Sequence, residues 1–389
     1  MLPTDSHTPG LDSRLRGNDN NNVIDRFKAL CPIANPSGHE ANLRAIIQAE
    51  LTALGLTDQR VDTIGNLVVR VPGRVGLSPW LLSAHMDSVP VCEGIVPREV
   101  PQPDGTLALM PAGETILGAD DKAGIACILT LMNTFAQQGF AHNRPLILYF
   151  SVQEEIGLQG AKALDWDWVS DATWAWVLDG DGPVGDIYTA GPFQEALKFE
   201  VKGKRAHAGI CPEQGLNAIR VLAEWLTTCP NGRLSPTGTT NVGKIFGGDA
   251  TNVVPDWAEA LGEARGLTEP ELVSIVESIQ GARETVAQRY PDAGLTLTHT
   301  RKNAGFTVDH THAEIALLQQ VFTTTGIANG CKPMAIGSDA HILNARGLPA
   351  VVVGMGFTRS HTRQEILYCE PYRQLTQCMI TLLCDSTLP

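Results

Sequence analysis

Residues 145–155 read Pro145-Leu-Ile-Leu-Tyr-Phe-Ser-Val-Gln-Glu154-Glu155. An apolar run of this length, opened by proline and closed by two acids, predicts a strand buried on both faces, as in parallel sheets. Three more stretches have the same form. Trp80-Leu-Leu-Ser-Ala precedes His85, Trp174-Ala-Trp-Val-Leu precedes Asp179, and Ala350-Val-Val-Val-Gly precedes the loop that delivers His361. Ligands in open α/β sheets gather beyond the carboxyl ends of such strands. His85, Glu155, Asp179 and His361 are therefore expected in one crevice. Asp120 joins them from Ile116-Leu-Gly-Ala-Asp120-Asp121, at the start of an apolar helix over residues 122–135, where amide groups and the helix dipole favour anions. Five such donors are too many for one tetrahedral zinc and suit two zinc ions per subunit that share a carboxylate. The bridge is assigned to Asp120.

Outward from these strands, the chain of 389 residues exceeds one typical domain and suggests two. Its formal charge of −13, from 29 basic and 42 acidic residues, and the lack of any Lys/Arg run argue against nucleic acid or an anionic membrane as partner. Nine scattered cysteines without a CxxC pair, and no apolar leader, predict free thiols and a cytoplasmic location. Apolar stretches are too short to span a bilayer.

Residues 1–22, rich in Asn, Asp, Gly, Pro and Ser, predict a disordered tail. A helix follows with Ile24, Phe27 and Leu30 on one face, and another over residues 40–54. Gly65-Asn66 separates two short strands in a hairpin manner. The pattern changes at residues 190–303, which read β-α-β-β-α-β, a ferredoxin-like unit. Its second helix opens at Thr268-Glu-Pro-Glu271, a capping box with proline just inside. Because this unit lies between Asp179 and His361, it reads as an α+β lid inserted into a larger α/β domain of residues 23–189 and 304–389. That domain is expected to carry a mixed, mostly parallel sheet.

The residue types specify the chemistry. A ligating imidazole usually has its other nitrogen held by a carboxylate, and Asp87 in His85-Met-Asp87 is placed to do this. Adjacent acids at a strand end point in different directions, so one can ligate while the other works on water. Zinc brings the pKa of a water it holds down to roughly 7, where a carboxylate can take the proton and later hand it to a leaving amine. Glu154 is read as that base and Glu155 as the ligand. Read singly, each has an ordinary explanation: helix caps at Asp120-Asp121, an acidic turn at Glu154-Glu155, a tight turn at Asp179-Gly-Asp181-Gly, a surface loop at His361. Only their joint spacing along alternating strands and helices singles out a site.

Five segments, Ser83-Ala-His-Met-Asp87, Leu117-Gly-Ala-Asp-Asp-Lys-Ala-Gly124, Gln153-Glu-Glu-Ile-Gly157, Gly203-Lys-Arg-Ala-His-Ala-Gly209, and Asp339 with His361, resemble the dinuclear zinc exopeptidases. That family includes peptidase T, bacterial carboxypeptidase G and the acetylornithine and succinyl-diaminopimelate deacylases. The resemblance is nearest to peptidase T, through the second segment and Ala206-His-Ala-Gly-Ile-Cys-Pro-Glu-Gln-Gly215. It implies that His85, Asp120 and Asp179 hold one zinc and that Asp120, Glu155 and His361 hold the other. It also implies a cis peptide at Asp120-Asp121, His207 as polariser of the substrate carbonyl, and Asn252 and Arg265 as substrate contacts. Ala335-Ile336-Gly337-Ser338-Asp339 departs from the family's Gly-Gly-Ser/Thr-Asp turn.

These readings converge on a two-zinc exopeptidase acting on short peptides, an aminopeptidase releasing N-terminal residues from tripeptides, with a homodimer formed through the lid. The rivals are a carboxypeptidase or N-acyl amino acid deacylase on the same metals, and a metal-binding protein without activity.

Overall fold

The computed structural model describes residues 22–384. The expected tail lies outside these residues except for Asn22, which is the N-cap of the first helix, Val23–Leu30, its side chain accepting from the Ile24 amide at 3.1 Å. The chain divides into two compact units. One comprises the chain up to Thr189, Val308–Lys332, and the chain from Ser338 onward; the other comprises Ala190–Thr307 and Pro333–Gly337.

The first unit is built on a large mixed sheet. Its strands run in the order Gln59–Val61, Leu67–Val71, Leu146–Ser151, Trp80–His85, Trp174–Asp181, Ala350–Thr358, Ile366–Tyr368, Leu107–Pro111, Pro97–Pro101. Every residue of Trp80–His85 and of Leu146–Ser151 is buried. The sheet is parallel only at its centre, where Leu146–Ser151, Trp80–His85, Trp174–Asp181 and Ala350–Thr358 pair in turn. The flanks are antiparallel, so the expectation of a mostly parallel sheet holds for these central strands alone. The physical reason is connection length: the flanking strands include short-looped pairs such as Gln59–Val61 with Leu67–Val71, and short loops can join only antiparallel neighbours.

Register sets the working edge. His85 lies opposite Ser151, and Ser83 opposite Val177, so the central strands end together. The helix Ala119–Gln137 is buried on nearly every side, with helices Val23–Leu30 and Cys369–Cys384 against it. Gly124 permits its close approach to the sheet, because a Cβ there would stand 2.3 Å from the Leu178 carbonyl oxygen. Asp179-Gly-Asp181 is not a tight turn but the end of the strand Trp174–Asp181. Gly180 is needed there for strand contact, since a Cβ would meet the Val353 carbonyl at 2.4 Å.

The second unit has an antiparallel sheet in the order Gly232–Arg233, Thr239–Gly247, Trp257–Gly266, Phe193–Lys202, Gly294–Asn303. With helices Ala218–Thr228 and Glu269–Arg289 it forms the β-α-β-β-α-β arrangement. Burial alternates along Phe193–Lys202, and Leu197, Phe199 and Val201 join Val221, Trp225 and Leu272 in one core. Thr268 caps its helix by accepting from the Glu271 amide at 3.3 Å. Glu271 reaches back to the helix start, where it takes the Leu267 amide at 2.7 Å, and it also accepts from the hydroxyls of Ser235 and Thr237.

Candidate metal centre

The site forms where the four central parallel strands end. His85 closes its strand, Asp179 lies two residues before the end of another, and Glu154 and Glu155 follow the strand Leu146–Ser151. Gln153 adopts a left-handed φ of 54°. This turn separates the two acids in direction, and no glycine announces it in the sequence. Beyond Ala350–Thr358, Arg359 and His361 are also left-handed, each at φ 62°. Asp120 enters at the head of the buried helix, and its peptide bond to Asp121 is cis.

These segments bring five predicted donors together. Asp120 Oδ1 lies 2.8 Å from His85 Nε2, and Asp120 Oδ2 lies 3.0 Å from His361 Nε2. Asp179 Oδ1 stands 3.5 Å from His85 Nε2, and Glu155 Oε2 stands 2.9 Å from His361 Nε2. The two oxygens of Asp120 thus face two imidazoles from different parts of the chain. Donor atoms of His85, Asp120 and Glu155 fall within 4.8 Å of one another, as do those of His85, Asp121 and Asp179. Asp121 is near enough to compete with Asp120, but its oxygens are committed to the amides of His85 and Gly124, both at 3.0 Å.

Four acids outside the donor set grip the backbones that carry it. Asp121 holds the His85 amide. Asp87 accepts from the amides of Glu154 at 2.9 Å and Glu155 at 3.2 Å, and from the Ser37 hydroxyl at 2.6 Å. Asp181 accepts from the Ser360 amide at 3.0 Å and its hydroxyl at 2.6 Å. Glu365 takes the amides of Leu117, Gly118 and Asp120. The sequence reading gave Asp87 to the His85 ring, where its backbone carbonyl at 3.0 Å lies nearer Nδ1 than its carboxylate at 3.4 Å. It missed the grips of Asp121, Asp181 and Glu365 entirely. No local spacing signals them, because each spans tens to hundreds of residues.

So many buried acids repel one another. Burial pushes Asp179 up to about 7 against the pull of His85, with Asp120 and Asp339 adding repulsion. Burial also raises Glu154 well above its ordinary value, with Asp179, Asp339 and Glu155 contributing. His361 is held up at about 10 by its bonds to Asp120 and Glu155. Glu155 Oε1 is buried without a hydrogen-bond partner. A cluster of anionic oxygens and imidazole nitrogens with an unsatisfied buried oxygen fits divalent cations.

The remaining predicted residues belong to the second unit. His207 is exposed on a ribbon in which Ala206–His207 pairs with Val253–Val254, and its Nδ1 accepts from the Gly209 amide at 3.1 Å. Asn252 is also exposed, and its carbonyl takes the Ala208 amide at 2.9 Å. Arg265 is engaged: Nε and Nη2 bond to Glu263 at 3.0 and 3.2 Å, and Nη1 bonds to the Ala335 carbonyl at 3.1 Å. Among the described residues, no helix is long and apolar enough to cross a membrane.

Comparison with known proteins agrees with both units. Residues 66–185 match peptidase family M28, and residues 196–291 match the peptidase dimerisation domain. The uncharacterized protein YqjE of Bacillus subtilis is 28% identical over 373 residues, 93% of this chain and 97% of that protein. Two solved structures are similar over nearly the whole length. Aminopeptidase PepT from Bacillus cereus has a TM-score of 0.81 at 28% identity, covering 94% of this chain and 98% of its own. A tripeptidase from Staphylococcus aureus has a TM-score of 0.85 at 27% identity, covering 94% and 97%.

Proposed function

We propose that this chain, a hydrolytic peptidase resembling peptidase T, is a two-zinc aminopeptidase that releases N-terminal residues from tripeptides. The observation that carries the metal reading is Asp120, whose two oxygens face His85 and His361 separately. His85, Asp120 and Asp179 would hold one cation, and Asp120, Glu155 and His361 the other. When bound, such cations make water acidic enough to lose a proton near neutral pH and polarise a carbonyl.

The chain's own groups supply the rest. Glu154 is buried and inclined to keep a proton, so it accepts one from the attacking water and returns it to the leaving amine. Its amide is fixed by Asp87, which limits how far the base can wander. His207 is assigned to polarise the substrate carbonyl, and Asn252 to hold the substrate, by resemblance. The rival carboxypeptidase or deacylase would anchor a substrate carboxylate on a cation, for which Arg265 is the candidate. The pairing of Arg265 with Glu263 weighs against that rival, because a substrate carboxylate would have to displace an existing one.

A homodimer through the second unit and a cytoplasmic setting belong to the same proposal. The strand Thr239–Gly247 is paired on its outer side only at Thr239 and Thr240, and it exposes Ile245 and Phe246 by 56% and 48%. An edge of this kind suits strand pairing with another chain. The deciding experiment compares zinc-loaded protein on free tripeptides, N-blocked peptides and N-acetylated amino acids. Fastest turnover of free tripeptides is expected. Preference for either blocked class would replace the aminopeptidase reading with its rival.

A further inference from the structure

We propose that Glu365 is a positioning residue for the donor pocket of Asp120, Glu155 and His361, an inference that rests on the two-cation reading above. Its carboxylate is 1% exposed. Oε2 accepts from the amides of Leu117 at 2.8 Å and Gly118 at 2.9 Å, and Oε1 accepts from Asp120 at 3.1 Å. Glu365 stands on the same loop as His361. One side chain therefore ties the backbone at Asp120 to the segment that carries His361, and Asp120 Oδ2 meets His361 Nε2 at 3.0 Å.

The two pockets differ in what holds them. His85 and Asp179 sit at the ends of strands Trp80–His85 and Trp174–Asp181, which pair directly, so sheet register places them. His361 lies past the end of its strand in a left-handed conformation, with its side chain 47% exposed. No ladder reaches it. The loop is gripped at one end by Asp181, through Ser360, and at the other by Glu365. Losing Glu365 frees both Asp120 and His361 in their shared pocket, whereas the His85–Asp179 side keeps its register. Partners that orient ligands in this way typically contribute about 10–100-fold in metal affinity.

The test titrates metal-free, full-length protein with cobalt(II) and follows the visible absorption of the bound ion. Wild-type protein is expected to take two equivalents. In Glu365→Gln one acceptor oxygen becomes a donor facing backbone amides. Because Asp120 serves both pockets, the equivalent on the His85–Asp179 side should weaken only slightly while the other weakens by roughly 10–100-fold. Thermal unfolding of the metal-free variant separates positioning from simple loss of fold. Unchanged binding of both equivalents overturns the proposal. Equal weakening of both, in step with a lowered Tm of the metal-free protein, overturns it as well. If Glu365→Gln does not fold, Glu365→Asp keeps the charge, shortens the reach by one methylene and is judged by the same two results. Wild-type protein that takes up no cobalt overturns the two-cation reading and this inference together, which distinguishes it from failure of the Glu365 assignment alone.

Discussion

The two units bury their strands differently, and the difference decides where chemistry collects. Trp80–His85 and Leu146–Ser151 are buried at every residue. Apart from Ser83 and Tyr149 they are apolar up to their last residues, so charged groups occur where the strands stop and parallel register gathers them at one edge. Phe193–Lys202 in the second unit alternates, with only every other residue buried. Its charged side chains spread over an open face in pairs such as Lys198 with Glu259 at 2.9 Å. One unit concentrates acids until they disturb one another, and the other disperses charge in partly exposed pairs worth little each. The first is thus suited to hold cations, and the second is not.

The largest expected effect tests the concentrated site at its centre. Asp120→Ala should lose both cations and essentially all turnover, because the bridge serves two ions that otherwise repel each other. Elemental analysis checks it, and two tightly held ions in the variant would show that the bridge lies elsewhere. Glu154→Gln comes next. It should keep its cations and lose about 100-fold or more in kcat, since the group works on water and does not ligate. A metal-replete variant of normal activity would remove Glu154 from its role.

His207→Ala carries the comparison into the second unit. A fall in kcat of roughly 100-fold with cation content and folding unchanged is expected if it stabilises the oxyanion. Loss of cations instead would break the division of labour between the units.

The smallest effect is a pH dependence of the metal-free protein. In the folded chain Asp179 is raised from 3.8 to about 7 and His361 from 6.5 to about 10. Both bind protons more tightly folded than unfolded, so stability is greatest at low pH within these windows and falls as pH rises through them. Tm of the metal-free protein should decline by a few degrees between pH 6 and pH 9, a modest change because His361 is half exposed. Cation binding should strengthen over the same range, because the ligands must shed those protons. A Tm that rises with pH without metal would contradict the crowding of acids.

Much of this was legible in the chain. Apolar runs located the central strands, and the histidines placed at or beyond their ends are residues that the fold brings to Asp120. The β-α-β-β-α-β pattern was readable because half-buried strands and amphipathic helices carry their periods in sequence. Other features left no local trace. Gln153 and His361 are left-handed without being glycine, and Glu365 acts on amides some 245 residues away. Gly180 resembled a turn residue but serves the contact between two strands, which exists only once they pair.

The sequence by itself determined which strands are buried, which residue types stand at their ends and that a second α+β unit interrupts the first, because these follow from hydrophobic periodicity over a few residues. Only the tertiary structure decided that Asp120 faces both histidines while Asp121 is spent on the amides of His85 and Gly124. Neighbours in sequence with the same side chain receive different tasks, because each carboxylate bonds to the groups that the folded backbone brings within 3 Å or so of it.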